Sequence, residues 1–232
     1  MSTAETLPDV VPAAEKSLLR DYTETILVCV IFVVFSRAFV FQQSKIPSGS
    51  MMDSLLVGDY IMVNRFVYAP SSFGWERSLL PERQIRRGDV VVFKYPSQPD
   101  IDYIKRVVGL PGDRVELRDG RLYVNDRPID EPYVKEAYRQ QDEHKNYGPV
   151  EVLPDHYLVF GDHRDRSADS RVWGQVHRDL MKGRALLIWW SFEENEGGGP
   201  YMPLGERLRA WGDKALHFFG KSRWSRCFRI IR

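Results

Sequence analysis

The sequence predicts a mainly β fold: a single apolar N-terminal segment followed by an antiparallel β domain. Three observations carry this. Short β-branched or aromatic runs recur from Tyr60 to Trp190 between Pro and Gly punctuation. Val115, Leu117 and then Leu122, Val124 alternate around Asp119-Gly120, a type I′ hairpin signal. No long amphipathic helical period lies between the runs, so the elements favour strands packed on strands.

The elements follow in order. Residues 1–20 mix Pro, Ala, Ser, Thr and acidic residues without a sustained period and read as a tail. From Ile26 to Phe35 the chain is uninterrupted apolar sequence, and Ala38 to Phe41 extends it beyond Ser36-Arg37. With Arg37 reaching to an interface this is long enough for one bilayer crossing over 21–42. A cleavable signal peptide, with Lys16 and Arg20 ahead of it, and a buried core segment are the competing readings. Basic residues flank both ends, so charge does not decide orientation.

Beyond Gln43, strands are expected at Tyr60–Asn64, Asp89–Lys94, Tyr103–Val108, His156–Phe160 and Arg184–Trp190, besides the hairpin. Residues 43–192 form the main domain, and 193–200, EENEGGGP, read as an acidic, Gly-rich linker. The segment to 232 is basic and aromatic. It suits either an interfacial segment on anionic lipid or a helix packing its aromatic face on the β domain.

Composition narrows the function. With 33 Lys+Arg against 32 Asp+Glu, no overall field points to a nucleic-acid partner. Cys29 and Cys227 are too differently placed for a disulfide framework, and five histidines without HxxxH or CxxC spacing predict no metal. The stretch Asp165 to Val176 has an acidic spacing like a calcium loop, but Ser170 and Val176 stand where glycine and glutamate are needed. No organic cofactor is expected.

Three stretches carry candidate chemistry. IPSGSMMDSL, Ile46 to Leu55, offers three serines directly after the apolar segment. A serine hydroxyl needs a base, and with no histidine in a nucleophile motif a buried lysine is the substitute. Strand alternation puts Tyr103, Lys105 and Val107 on one face and Asp102, Ile104, Arg106 and Val108 on the other, which makes Lys105 the candidate. A snorkelling surface lysine and an ordinary Pro-Ser-Gly-Ser turn are the bland alternatives. The third stretch, Gly161 to Gly174, reads either as a charged surface turn or as a scaffold with Asp169 and Arg171 paired.

Together with RGDVVVFKYP (Arg87 to Pro96) and DYIKRVVGLPGD (Asp102 to Asp113), these stretches resemble the bacterial type I signal peptidases, membrane-anchored Ser/Lys proteases. The resemblance implies Ser50 as nucleophile and Lys105 as general base. Ser48 and the Ser50 N–H would form the oxyanion hole, Ser167 would hydrogen-bond the lysine, and Asp169 and Arg171 would support the site. It also implies an S1 subsite of Ile46, Pro47, Met51, Leu55, Tyr103 and Ile104, with Ile61, Val92 and Ile104 near S3. The substrate would be a preprotein signal peptide with small residues at −1 and −3, pairing along Asp102 to Lys105.

By the same resemblance the apolar segment is an uncleaved single-pass anchor in the bacterial cytoplasmic membrane. Residues 1–20 would then lie in the cytoplasm and a monomeric catalytic domain on the outer face, with a small second β lobe within about 113–158. Preprotein and membrane lipid are the expected partners, and nucleic acid is not. The sequence departs from the family pattern at Asp53-Ser54 (usually Pro-Thr), Ser44 (usually aromatic), His163 and Arg166 (usually Asn), and Val176-His177 (usually Val-Pro).

Overall fold

The structure, a computed structural model, describes residues 18–35, 41–65, 68, 83–194 and 204–231. Helix α1, Leu18–Phe35, opens with Arg20, Asp21 and Glu24; Arg20 Nε lies 2.9 Å from Glu24 Oε1 one turn on. Its apolar second half, Ile26 to Val34, is exposed throughout. No helix among the described residues is long and apolar enough to cross a membrane. At about 1.5 Å per residue the 18 residues of α1 span roughly 27 Å, and its first turns carry three charges. The expected anchor, 21–42, runs on into residues 36–40, which lie outside the described residues.

The remainder is mainly antiparallel β. One eight-stranded sheet has the order β1-β2-β11-β3-β4-β9-β10, with β12 added to β11. Its strands are β1 Phe41–Lys45, β2 Asp59–Asn64, β3 Val90–Tyr95, β4 Gln98–Gly109, β9 His156–Phe160, β10 Val176–His177, β11 Met181–Ser191 and β12 Arg229–Ile230. Strand β2 alternates buried and half-buried residues. In β3, by contrast, Val90 to Phe93 are all buried, as expected of a central strand covered on both faces.

A second sheet, order β7-β6-β5-β8, is built from β5 Arg114–Arg118, β6 Arg121–Val124, β7 Arg127–Pro128 and β8 Tyr147–Glu151. Asp119 (φ 47°) and Gly120 (φ 74°) take the two left-handed positions that a type I′ turn requires, so the hairpin read from alternation is there. Val115, Leu117, Leu122 and Val124 pack with Val108, Leu158 and Phe160 of the large sheet into one apolar cluster. That shared cluster holds the two sheets together.

The C-terminal segment packs on the large sheet. Helices α3, Leu204–Leu216, and α4, Phe218–Lys221, lead to a Phe192–Ser222 bridge and to β12, which pairs Leu187 with Ile230. Arg226 Nη2 lies 2.6 Å from buried Asp59 Oδ2, and Lys214 Nζ 2.7 Å from Glu194 Oε1. Part of this basic tail packs on the β domain, with Phe218 against Trp190 (ring centroids 5.7 Å apart). Even so, Leu216, Phe219, Trp224, Phe228 and Ile230 remain exposed.

Candidate active site

The chain leaves β1 on an extended backbone as far as Ser48. Ile46 N–H donates to Asp59 O (2.9 Å), and Ser48 is still extended (φ −135°, ψ 157°) and exposed. The chain then tightens into a single 3-10 turn, Gly49–Met51. Met51 and Leu55 are fully buried in a cluster with Ile46, Ile61 and Val92, and this burial fixes the turn to the sheet. Asp53 follows with φ 76°, a left-handed conformation uncommon outside glycine.

Ser50 is 9% exposed and Lys105 4%. Lys105 Nζ lies 2.7 Å from Ser50 Oγ. In register, Lys105 stands opposite Val91 on β3, and pairing of β4 with β9 begins only at the next residue, Arg106 opposite Phe160. Lys105 is thus the first residue at which the outer edge of β4 opens, and the Gly49–Met51 turn occupies that opening. Burial pushes the Lys105 ammonium down to about 8, against the pull of Asp169 and Asp162, which favour its charge; Arg171 adds to the lowering. A lysine so placed is partly neutral near pH 8 and can accept a proton.

Gly161 lies where the turn meets the Gly161–Gly174 stretch. A Cβ there would sit 2.2 Å from Ser167 Oγ and 2.5 Å from Ser50 O, so only glycine lets these groups approach. His163 N–H donates to Ser50 O at 3.2 Å. The expected hydrogen bond from Ser167 to the lysine is not formed: Ser167 Oγ is buried with no hydrogen-bond partner, while Lys105 Nζ is directed at Ser50.

Asp169 and Arg171 form the paired scaffold. Arg171 Nε and Nη2 donate to Asp169 Oδ1 and Oδ2, each at 2.8 Å, with both side chains fully buried. Asp169 Oδ2 also accepts from Gly161 N–H (2.9 Å), tying the ion pair to the turn beside Ser50. Asp142 pairs with the same guanidinium.

Two further buried pairs escaped the sequence reading. Arg106 donates through Nε and Nη2 to Asp162 at 2.9 and 2.7 Å, and its Nη2 lies 3.3 Å from Ser54 Oγ. Arg164 pairs with Glu131. The signal available was the charge density of Asp162 to Arg171 among small residues; the carboxylate partners at Glu131 and Asp142 lie too far along the chain to read.

Of the expected subsite residues, Ile46, Met51, Leu55, Ile61 and Val92 fall in one buried cluster with Ile104 packed against it. Pro47 is exposed beside them. Tyr103 lies in a different cluster, with Phe93 and Val107, as alternation along β4 requires; its ring centroid is 5.4 Å from Lys105 Nζ. No group of three or more His, Cys, Asp or Glu able to hold a metal occurs among the described residues.

The family model described as "Signal peptidase, peptidase S26" matches residues 19–190. The chain is 36% identical to a signal peptidase I of Pseudomonas aeruginosa over 78% of this chain and 75% of that one. It is 34% identical to signal peptidase I of Pseudomonas fluorescens (78% and 75% covered) and 34% identical to that of Leptolyngbya laminosa (83% and 92%).

Proposed function

The chain belongs to the signal peptidase family, peptidase S26, and on that premise we propose a membrane-anchored endopeptidase that uses Ser50 as nucleophile and Lys105 as general base. The observation that carries the proposal is the 2.7 Å contact between Lys105 Nζ and Ser50 Oγ, both buried. Neutral Lys105 takes the Ser50 proton as Oγ bonds to the scissile carbonyl carbon. The negative charge moves to the carbonyl oxygen, where the Ser50 N–H and Ser48 hydroxyl stabilise it; losing one such donor costs about 2.7 to 4 kcal/mol. Protonated Lys105 then gives its proton to the leaving amine, the C–N bond breaks, and water, deprotonated by the same lysine, releases the acyl group from Ser50.

The substrate reading rests on the family and on an open strand edge. An extended peptide can add to the outer edge of β4, where Asp102 to Lys105 pair with β3 on one side only. In this reading, which follows the family resemblance, its alternate side chains would face the apolar cluster of Ile46, Met51, Leu55 and Ile104, and small residues would be preferred at −1 and −3. Asp169 and Arg171 hold the loop that carries Gly161. Ser167 Oγ is buried without a partner, and in this reading its hydroxyl would accept a hydrogen bond from the charged lysine.

Membrane attachment is supported by the exposed apolar stretch Ile26 to Val34 of α1, continued in sequence by Ala38 to Phe41. In this reading the residues before α1 lie in the cytoplasm and the peptidase faces outward, so that Ser50 stays near the membrane surface from which a signal peptide emerges. The test is to incubate the detergent-solubilised chain with a preprotein carrying an A-x-A site and to weigh the products. One cut directly after that site is expected; an intact preprotein would contradict the proposal.

A further inference from the structure

Residues 131–142, between β7 and β8, leave the small sheet and cross back to the candidate active site at five points. Glu131 pairs with Arg164, and the Tyr133 ring centroid lies 3.9 Å from the Arg106 guanidinium carbon. Lys135 Nζ is 2.7 Å from Asp53 Oδ1. On the short helix α2, Glu136–Gln141, the Tyr138 ring centroid is 3.9 Å from that of His163; Asp142 then pairs with Arg171. Every partner adjoins the reacting pair. Arg106 follows Lys105, Asp53 comes three residues after Ser50, and His163 donates its N–H to Ser50 O with its Nδ1 3.3 Å from Gly49 O. Arg164 Nε donates to Gly161 O (3.2 Å), and Arg171 holds Asp169.

Buried pairs such as Glu131–Arg164 serve the fold whatever the chemistry. The Lys135–Asp53 contact differs, because the Lys135 side chain is 60% exposed and such pairs add little stability. Yet its partner Asp53, two residues past the Gly49–Met51 turn, is in a left-handed conformation, and Tyr138 of the same segment also interacts with its carboxylate. A backbone of that kind persists where its surroundings hold it, and Lys135 is the cation that reaches it. Asp53 is also the residue where this chain departs from the usual proline.

We propose that 131–142 is a positioning strap for the nucleophile turn, with the Lys135–Asp53 bridge as the clasp that keeps Ser50 Oγ in reach of Lys105 Nζ. This rests on the Ser50/Lys105 reading. Neither Lys135 nor Asp53 touches the reacting atoms; both act through the turn.

The test is a double-mutant cycle on the full chain in detergent, read as kcat and KM for preprotein cleavage. Lys135→Met and Asp53→Asn are each expected to lower kcat about tenfold with KM unchanged, a coupling within the range found for contacting residues. The double variant should be no slower than either single, Lys135→Arg should restore the parent rate, and added salt should slow the parent but not Lys135→Met. Single variants that fold and turn over at the parent kcat, with only a lowered melting temperature, would overturn the strap, as would effects that multiply in the double variant. In those cases the parent still cleaves and Ser50→Ala does not, so the function reading survives. A parent that leaves the preprotein intact overturns both.

Discussion

Lys105 Nζ lies 2.7 Å from Ser50 Oγ although 55 residues separate them along the chain. The contact forms because the outer edge of β4 opens at Lys105 and the Gly49–Met51 turn fills the opening. Burial, which holds the amine near pKa 8, is what makes the contact usable by a base.

The pH profile follows. In the proposed mechanism neutral Lys105 is the reactive form, so kcat/KM should climb through an acid limb with a midpoint near pH 8. Below it the rate should fall about tenfold per unit of pH. Cleavage of a peptide substrate across pH 5 to 10 measures this, and a rate flat down to pH 6 would remove lysine as the base.

Stability should rise with pH in the same direction as activity, over the range above pH 8. The Lys105 pKa is lower in the fold than its ordinary 10.5, so the unfolded chain binds the extra proton. The resulting penalty is fully present below pH 8 and fades as pH rises from 8 to 10.5. It is on the order of 3 kcal/mol at neutral pH. Lys105→Met should therefore abolish cleavage while leaving the denaturation midpoint at pH 7 equal to or above the parent's. A fall in that midpoint would mean the ammonium is well accommodated.

Breaking the Asp169–Arg171 pair should be costly. Both side chains are fully buried, and removing one partner strands the other, typically for about 3 to 5 kcal/mol. Asp169→Ala should lower the thermal midpoint sharply and loosen the Gly161 loop it holds. Urea melts near parental would show that the pair is dispensable.

Gly161→Ala tests the close approach behind Ser50. The new methyl would meet Ser167 Oγ and the Ser50 carbonyl oxygen, and the second is backbone that cannot swing away. Loss of cleavage with the fold retained by circular dichroism is expected, with only partial recovery on adding Ser167→Ala. Parental activity would show that the turn can shift without consequence.

Much of this was legible in the sequence, for identifiable reasons. Alternation along Tyr103 to Val108 put Lys105 and Tyr103 on one face and Ile104 and Arg106 on the other, and the register with β3 agrees. The hairpin at Asp119-Gly120 was legible because its two left-handed positions demand those residues. Strand β1, FQQSK, was not: it is polar, and it becomes a strand because β2 offers it an edge. Strand β8 was hidden by Gly148-Pro149, which reads as a turn. Arg106 was read as pointing away from Lys105, which it does, but its partner Asp162 lies 56 residues on and no local pattern reports it.

The C-terminal segment was open to two readings because its amphipathic composition suits either a lipid surface or a protein face. Arg226 decided the packing by reaching buried Asp59, a contact across 167 residues. Asp59 also accepts from the Ser191 hydroxyl and the Leu56 N–H, so it would stand buried with an unpaired charge if the segment left.

The most direct test of the central claim compares preprotein cleavage by the detergent-solubilised parent with Ser50→Ala and Lys105→Ala at pH 8 to 9. The account predicts a cut after the A-x-A site by the parent and none by either variant, with both variants folded. Full activity in either variant would contradict it.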